Sequence, residues 1–95
     1  MRNEKVSIAS IISMAKIALT QIDREINEHN QEKYLGIENV KKKLLQILEE
    51  LEENNIPDKS IRISGLGRMV IDTWPLNSEL AELVVKTEQA YLSLK

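Results

Sequence analysis

The chain has 95 residues, of which 42% are hydrophobic and 29% are charged, and its formal net charge is −2. This balance excludes an intrinsically disordered chain, and the length predicts a single helical domain over residues 1–95. The absence of cysteine excludes disulfides and thiolate zinc sites, and the acidic balance disfavours nucleic acid as a partner. Aromatic residues make up only 3%, so the core must be aliphatic, which favours helices packed on helices.

The first predicted element is a long amphipathic helix over residues 4–28, with Asn3 as its expected N-cap. Apolar residues recur along it at three- and four-residue steps and fall on one face. They are Ile8, Ile11, Ile12, Ala15, Ala18, Leu19, Ile22 and Ile26. Val6 and Ile17 point away from this face. The N-terminal half is therefore apolar on a second side, which predicts that either another helix or a partner chain covers it.

The start of this helix also has to be distinguished from a targeting or membrane segment. The apolar run over residues 6–19 contains three serines and Lys16, and no small-residue cleavage pattern follows it. A membrane-spanning helix needs about 20 apolar residues, more than this run supplies. We therefore expect neither a signal peptide nor a membrane anchor, and a cytoplasmic protein.

The second predicted helix covers residues 36–54 and carries the clearest apolar stripe in the chain. The stripe consists of Ile37, Val40, Leu44, Ile47, Leu48 and Leu51. Leu45 is the one apolar residue outside the stripe. Asn54, Asn55 and Pro57 are expected to end the helix, because proline disfavours helical conformation in the residue before it.

The third predicted helix covers residues 61–74 and begins after Asp58 or Ser60, both of which are suitable N-caps. Its apolar face consists of Ile63, Leu66, Met69, Val70 and Trp74, and Ile61 and Ile71 lie outside this face. Gly65 and Gly67 weaken the helical prediction, and residues 61–63 also fit a short strand. Pro75 ends the segment.

The fourth predicted helix covers residues 78–94 and starts at Asn77 or Ser78. Its stripe consists of Leu80, Leu83, Val84, Thr87, Ala90, Tyr91 and Leu94. Val85 and Leu92 lie on the opposite side, where we expect them to be exposed or to touch a partner. Four amphipathic helices with short connections predict an all-α, compact, up-and-down four-helix bundle.

The sequence contains no motif typical of a catalytic, cofactor-binding or metal site. His29 is the only histidine, and it lacks the lysine and glycine that follow the phosphoacceptor histidine of phosphotransfer domains. Gly65 and Gly67 lack the preceding buried strand of a phosphate-binding loop. We therefore expect a protein that is not an enzyme and that holds neither a cofactor nor a metal.

The predicted function is protein–protein interaction, either with a partner protein or as a homodimer through the N-terminal helix, in a small regulatory, inhibitory or immunity-type protein. Two kinds of candidate contact residue are apolar side chains outside the main stripes and the arginine–tryptophan segment of the third helix, because these types are enriched in interfaces. They are Val6, Ile17, Arg62, Arg68, Asp72, Trp74, Val85 and Leu92. Arg68 and Asp72 are four residues apart and are predicted to pair, while Trp74 also suits a core position.

One alternative is a small DNA-binding transcriptional regulator that uses the third and fourth helices. Residues 78–94 offer mainly Lys86 and Gln89 to base edges, against Glu79, Glu82 and Glu88, which disfavours it. In layout the chain is similar to the small four-helix bacteriocin immunity proteins of Gram-positive bacteria. The likeness implies an immunity function, but it assigns no functional residue because no motif is shared. The many Ile, Lys, Glu and Asn residues are compatible with a low-GC bacterial or phage source. The other alternative is a membrane-associated immunity-like protein that acts through the first helix, whose polar face lacks the lysine and arginine excess of an interfacial helix.

Overall fold

The computed structural model describes residues 7–30, 32–58, 65–75 and 78–94. Within these ranges the chain forms α-helices and no strand, and the helices pack into an all-α four-helix bundle, as predicted. The helices are α1 (Ile8–Asn27), α2 (Ile37–Glu52), α3 (Leu66–Thr73) and α4 (Glu79–Ser93).

The relative directions of α1 and α2 follow from two ion pairs. Lys16 Nζ lies 3.4 Å from Glu52 Oε2, and Lys41 Nζ lies 2.8 Å from Asp23 Oδ1. The middle of α1 is therefore beside the end of α2, and the last turns of α1 are beside the start of α2, so the two helices run antiparallel. The four side chains are about one-third to two-thirds exposed, so these pairs contribute little to stability.

The direction of α4 follows from contacts at its two ends. Ser78 Oγ, at the start of α4, lies 3.5 Å from the hydroxyl of Tyr34, which precedes α2. The Tyr91 hydroxyl, near the end of α4, donates to the carboxylate of Glu50, near the end of α2. α4 therefore runs parallel to α2 and antiparallel to α1. α3 packs mainly on α4, with its start beside Glu88, and completes the up-and-down order.

The core comes from the predicted stripes of all four helices. The buried side chains that the stripes supply include Ile11, Ile22, Val40, Leu44, Leu66, Val70, Leu80 and Val84. Thr87 also lies in this interior, where its hydroxyl donates to the Leu83 carbonyl oxygen at 2.7 Å. A hydroxyl satisfied within its own helix costs little to bury, which explains a threonine on an otherwise apolar stripe.

The start of α1 differs from the prediction. The helix begins at Ile8, because the Ser7 hydroxyl accepts a hydrogen bond from the Ser10 amide at 3.1 Å and forms the N-cap. The predicted cap Asn3 and the candidate contact residue Val6 lie outside the described residues.

Non-glycine residues in left-handed conformation end both α1 and α2. His29 has a φ of 62°, and the next amide, that of Asn30, donates to the Glu25 carbonyl oxygen at 2.9 Å. Asn54 has a φ of 54°, and the Asn55 amide donates in the same way to Glu50. These are Schellman motifs, which satisfy the last carbonyl groups of a helix. The end of α2 is thus set by Asn54, one of the residues predicted to end it.

The prediction for α3 is wrong at its start. Gly65 has a φ of 70°, and a left-handed residue cannot continue a right-handed helix, so α3 begins at Leu66. Residues 59–64, which include the expected cap Ser60 and the candidate Arg62, lie outside the described residues. At the other end Trp74 is extended and is followed by Pro75, as the sequence indicates.

Candidate functional site: the groove between α3 and α4

A groove of about 520 Å³ lies between α3 and the outer side of α4. One wall includes Ile71 and Trp74, and the other includes Val85. Ile71 is 60% exposed, the highest value among the large hydrophobic side chains of the described residues. Water therefore contacts an isoleucine beside a concave surface that is itself largely apolar.

The start of α3 is held by a buried carboxylate of α4. Glu88 is only 7% exposed, and its two oxygens accept hydrogen bonds from the Leu66 and Gly67 amides, each at 2.8 Å. The first amides of a helix have no partner within the helix, and a negative charge there also complements the helix dipole. Because a helix of two turns is marginal by itself, this contact stabilises the wall of the groove.

Gly67 makes room for that carboxylate. A Cβ atom added at this position would lie 2.6 Å from Glu88 Oε1, closer than non-bonded atoms allow. In the sequence, Glu88 counts only as one of the acidic residues of the fourth helix that disfavour DNA binding, and its structural role is not predicted. A glycine within a predicted helix was the available signal, but nothing in the sequence connected it to a residue 21 positions away.

The end of α3 is held by Trp74. Its side chain is 4% exposed, and its indole N–H donates to the Leu35 carbonyl oxygen at 2.8 Å. The ring also meets the Tyr34 ring in an edge-on contact with centroids 5.0 Å apart. Trp74 thus occupies the core position that the sequence also allowed, and it joins α3 to the connection between α1 and α2.

Of the other candidates on α3 and α4, Val85 lines the groove, whereas Arg68, Asp72 and Leu92 are not part of its lining. Arg68 and Asp72 are exposed on α3, and the predicted pair is not among the ion pairs found in the described part of the chain. Val85 and Leu92 are half-buried and pack against the core, although the sequence places them opposite the stripe. The reason for Val85 is that α3 covers this side of α4, with Gly67 beside it.

Ile17 is the one remaining candidate within the described residues. It is 50% exposed on α1 and does not line the groove. Leu45 on α2 is 46% exposed and is likewise separate from the groove lining. Single exposed aliphatic side chains are normal on protein surfaces, and Ile71 differs from Ile17 and Leu45 in that it lines a groove.

The outer edge of α4 gives the groove a charged rim of both signs. Glu79, Glu82 and Lys86 line it. Lys86 Nζ lies 3.9 Å from Glu82 Oε2, and the two side chains are 63% and 67% exposed. An exposed pair of this kind is weak within one chain. Its charges therefore remain available to orient a second charged surface.

A second cavity, between the end of α1 and the start of α4, is less suited to binding. Its lining is mostly polar and includes Arg24, Glu25 and Lys33. Glu25 Oε1 accepts a hydrogen bond from Asn30 Nδ2 at 2.7 Å, and Lys33 Nζ lies 5.9 Å from the centre of the Tyr34 ring. Two of its charged groups thus have contacts within the chain, and the cavity has no exposed aliphatic side chain comparable to Ile71.

Among the described residues, no group of three histidine, cysteine, aspartate or glutamate residues has the arrangement to hold a metal ion. None of the helices in the described ranges combines the length and the hydropathy needed to cross a membrane.

In comparisons with known proteins, the chain matches no protein-family model and no curated sequence. The chemistry of the α3–α4 groove is therefore the basis on which a function can be assigned.

Proposed function

We propose that the protein is a small, non-enzymatic protein–protein interaction module that binds another protein chain through the α3–α4 groove. The observation that carries the proposal is Ile71, which stays 60% exposed beside a largely apolar groove of about 520 Å³. A concave apolar surface with an exposed aliphatic side chain and a polar rim has the composition of a docking surface.

The energy of docking would come from the apolar part of the groove. Full burial of an isoleucine side chain is worth about 1.5–3 kcal/mol, and Ile71 has 60% of its surface left to bury, so its share is about 1–2 kcal/mol. Glu79, Glu82 and Lys86 would contribute orientation and association rate more than affinity. By covering a surface of its partner, such a module acts as a regulatory, inhibitory or immunity-type protein.

The DNA-binding alternative has less support from the described surface. The exposed face of α4 carries Glu79 and Glu82 against Lys86, and these acidic groups would face phosphates if α4 entered a groove of DNA. We therefore propose protein binding as the function.

The proposal is tested by affinity capture from the native cells with three versions of the full chain. Ile71→Asp places a charge in the groove, and Leu45→Asp does the same at a comparably exposed position on α2. We expect one protein to copurify with the original chain and with Leu45→Asp, and to be lost with Ile71→Asp. Equal capture by both variants, once circular dichroism shows both to be folded, would contradict the assignment of the groove.

A further inference from the structure

We infer that the chain which occupies the α3–α4 groove is a second copy of this protein, with the two α4 helices antiparallel across a two-fold axis. The inference rests on the proposed function, because it takes the groove to be the docking surface. It adds the identity of the occupant and the register in which it binds.

The order of side chains on the outer edge of α4 is the first support. Glu79, Glu82, Lys86 and Gln89 are all exposed and follow one another at helical spacing on one face. Positions 82 and 86 lie at equal distances on either side of Val84, and so do positions 79 and 89. An antiparallel copy centred at Val84 therefore places Glu82 opposite Lys86 and Glu79 opposite Gln89, each pair twice.

This arrangement brings opposite charges together and leaves no like-charged pair directly opposed. A two-fold interface uses the same patch on both chains, so the patch must be complementary to itself, and this edge of α4 satisfies that condition. The Glu82–Lys86 contact within one chain is long, at 3.9 Å, and both side chains remain about two-thirds exposed. Both groups thus keep enough exposed surface to form a second pair across the axis.

The apolar surface beside this edge is the second support. Ile71 lines the same groove as Glu82 and Lys86, so a helix that lies along α4 also covers Ile71. The two-fold axis doubles the apolar surface that is buried, because the Ile71 side chains of both chains are covered. A basic peptide fits less well, since its charges would meet Lys86 as well as the glutamates.

Charge reversal gives a test that depends on the register. The original chain is expected to sediment at equilibrium with twice the mass of one 10.9 kDa chain. Glu82→Lys and Lys86→Glu each create two like-charged pairs across the axis, so each variant alone should dissociate with a constant at least about tenfold higher. An equimolar mixture of the two variants should associate as well as the original chain, because every pair in the mixed dimer is again opposite in sign.

The mixed dimer separates this arrangement from effects within one chain. Either variant also loses the Glu82–Lys86 contact of its own α4, and that loss cannot be repaired by mixing. Far-UV circular dichroism establishes that both variants are folded. A monomeric original chain at all accessible concentrations, or a mixture no more associated than its components, would overturn the inference. If Ile71-dependent capture of a different protein persists in that case, only the identity of the occupant is wrong; if that capture also fails, the proposed function falls with it.

Discussion

Replacement of Glu88 by glutamine tests whether one buried carboxylate holds the start of α3. The substitution keeps the size of the side chain and removes its charge. The glutamine oxygen can accept from one of the two amides, Leu66 or Gly67. Its NH₂ group then faces the other amide, so that a donor meets a donor in a site that is only 7% exposed.

The expected cost follows from these contacts. A hydrogen bond to a charged group is worth about 1.5–3 kcal/mol, and an unsatisfied buried donor costs about 1–3 kcal/mol. Loss of the favourable charge at the helix start adds a few tenths of a kcal/mol or more. We expect Glu88→Gln to lower the free energy of unfolding by about 2–4 kcal/mol, a large part of the roughly 5–14 kcal/mol typical of a domain of this size.

Urea unfolding followed by two probes measures this effect. Far-UV circular dichroism reports all four helices, while the fluorescence of Trp74, the only tryptophan, reports the end of α3. We expect a lower midpoint by both probes and a red-shifted Trp74 emission if α3 separates first. Glu49→Gln, at an exposed glutamate of α2 outside the groove, is the control and should change stability by less than about 0.5 kcal/mol. Equal stabilities for the two variants would refute the role assigned to Glu88.

Two further substitutions test the space beside Gly67 and the left-handed conformation of His29. Gly67→Ala would normally stabilise a helix by about 1 kcal/mol, but here the added Cβ displaces the Glu88 carboxylate, so we expect a net loss of about 1–2 kcal/mol in urea unfolding. A gain in stability would show that the carboxylate does not need this space. His29→Gly should raise stability by about 0.5–1 kcal/mol, because glycine adopts the left-handed φ of 62° without strain. The measurement is a thermal melt, and an unchanged or lower midpoint would contradict the assignment of strain to this residue.

The sequence predicts the long helices because their patterns are local. Ile11 and Ile22 in α1, and Val40 and Leu44 in α2, recur at helical spacing, and these are buried as the spacing indicates. The exposure of Ile71 is also readable, since it falls outside the apolar face of its helix. The contacts that shape the groove join residues far apart in the sequence, and helical spacing cannot predict such contacts. The start of α3 depends on Glu88 and on the left-handed Gly65, and neither signal is distinguishable from a surface glutamate or a helical glycine.

The residues that line the proposed docking surface were only partly predictable for the same reason. Trp74 and Val85 were candidates and both line the groove, but the groove exists because α3 is short and lies on one side of α4. Helical periodicity gives the direction of a side chain relative to its own helix axis. It does not give which neighbouring helix covers that direction, and α3 covers part of the side that carries Val85.

Because contacts with distant residues hold α3 at both ends, substitutions at those residues should affect the groove in a genetic screen. The first turn of α3 depends on a carboxylate more than twenty positions away, and Trp74, the residue that follows its last turn, donates to the backbone of Leu35 in a different connection. A random screen for loss of partner binding should therefore recover substitutions around Leu35 and Glu88 alongside those at Ile71. Such remote variants would bind poorly because α3, one wall of the groove, has shifted. Second substitutions that hold α3 in its original position should restore binding.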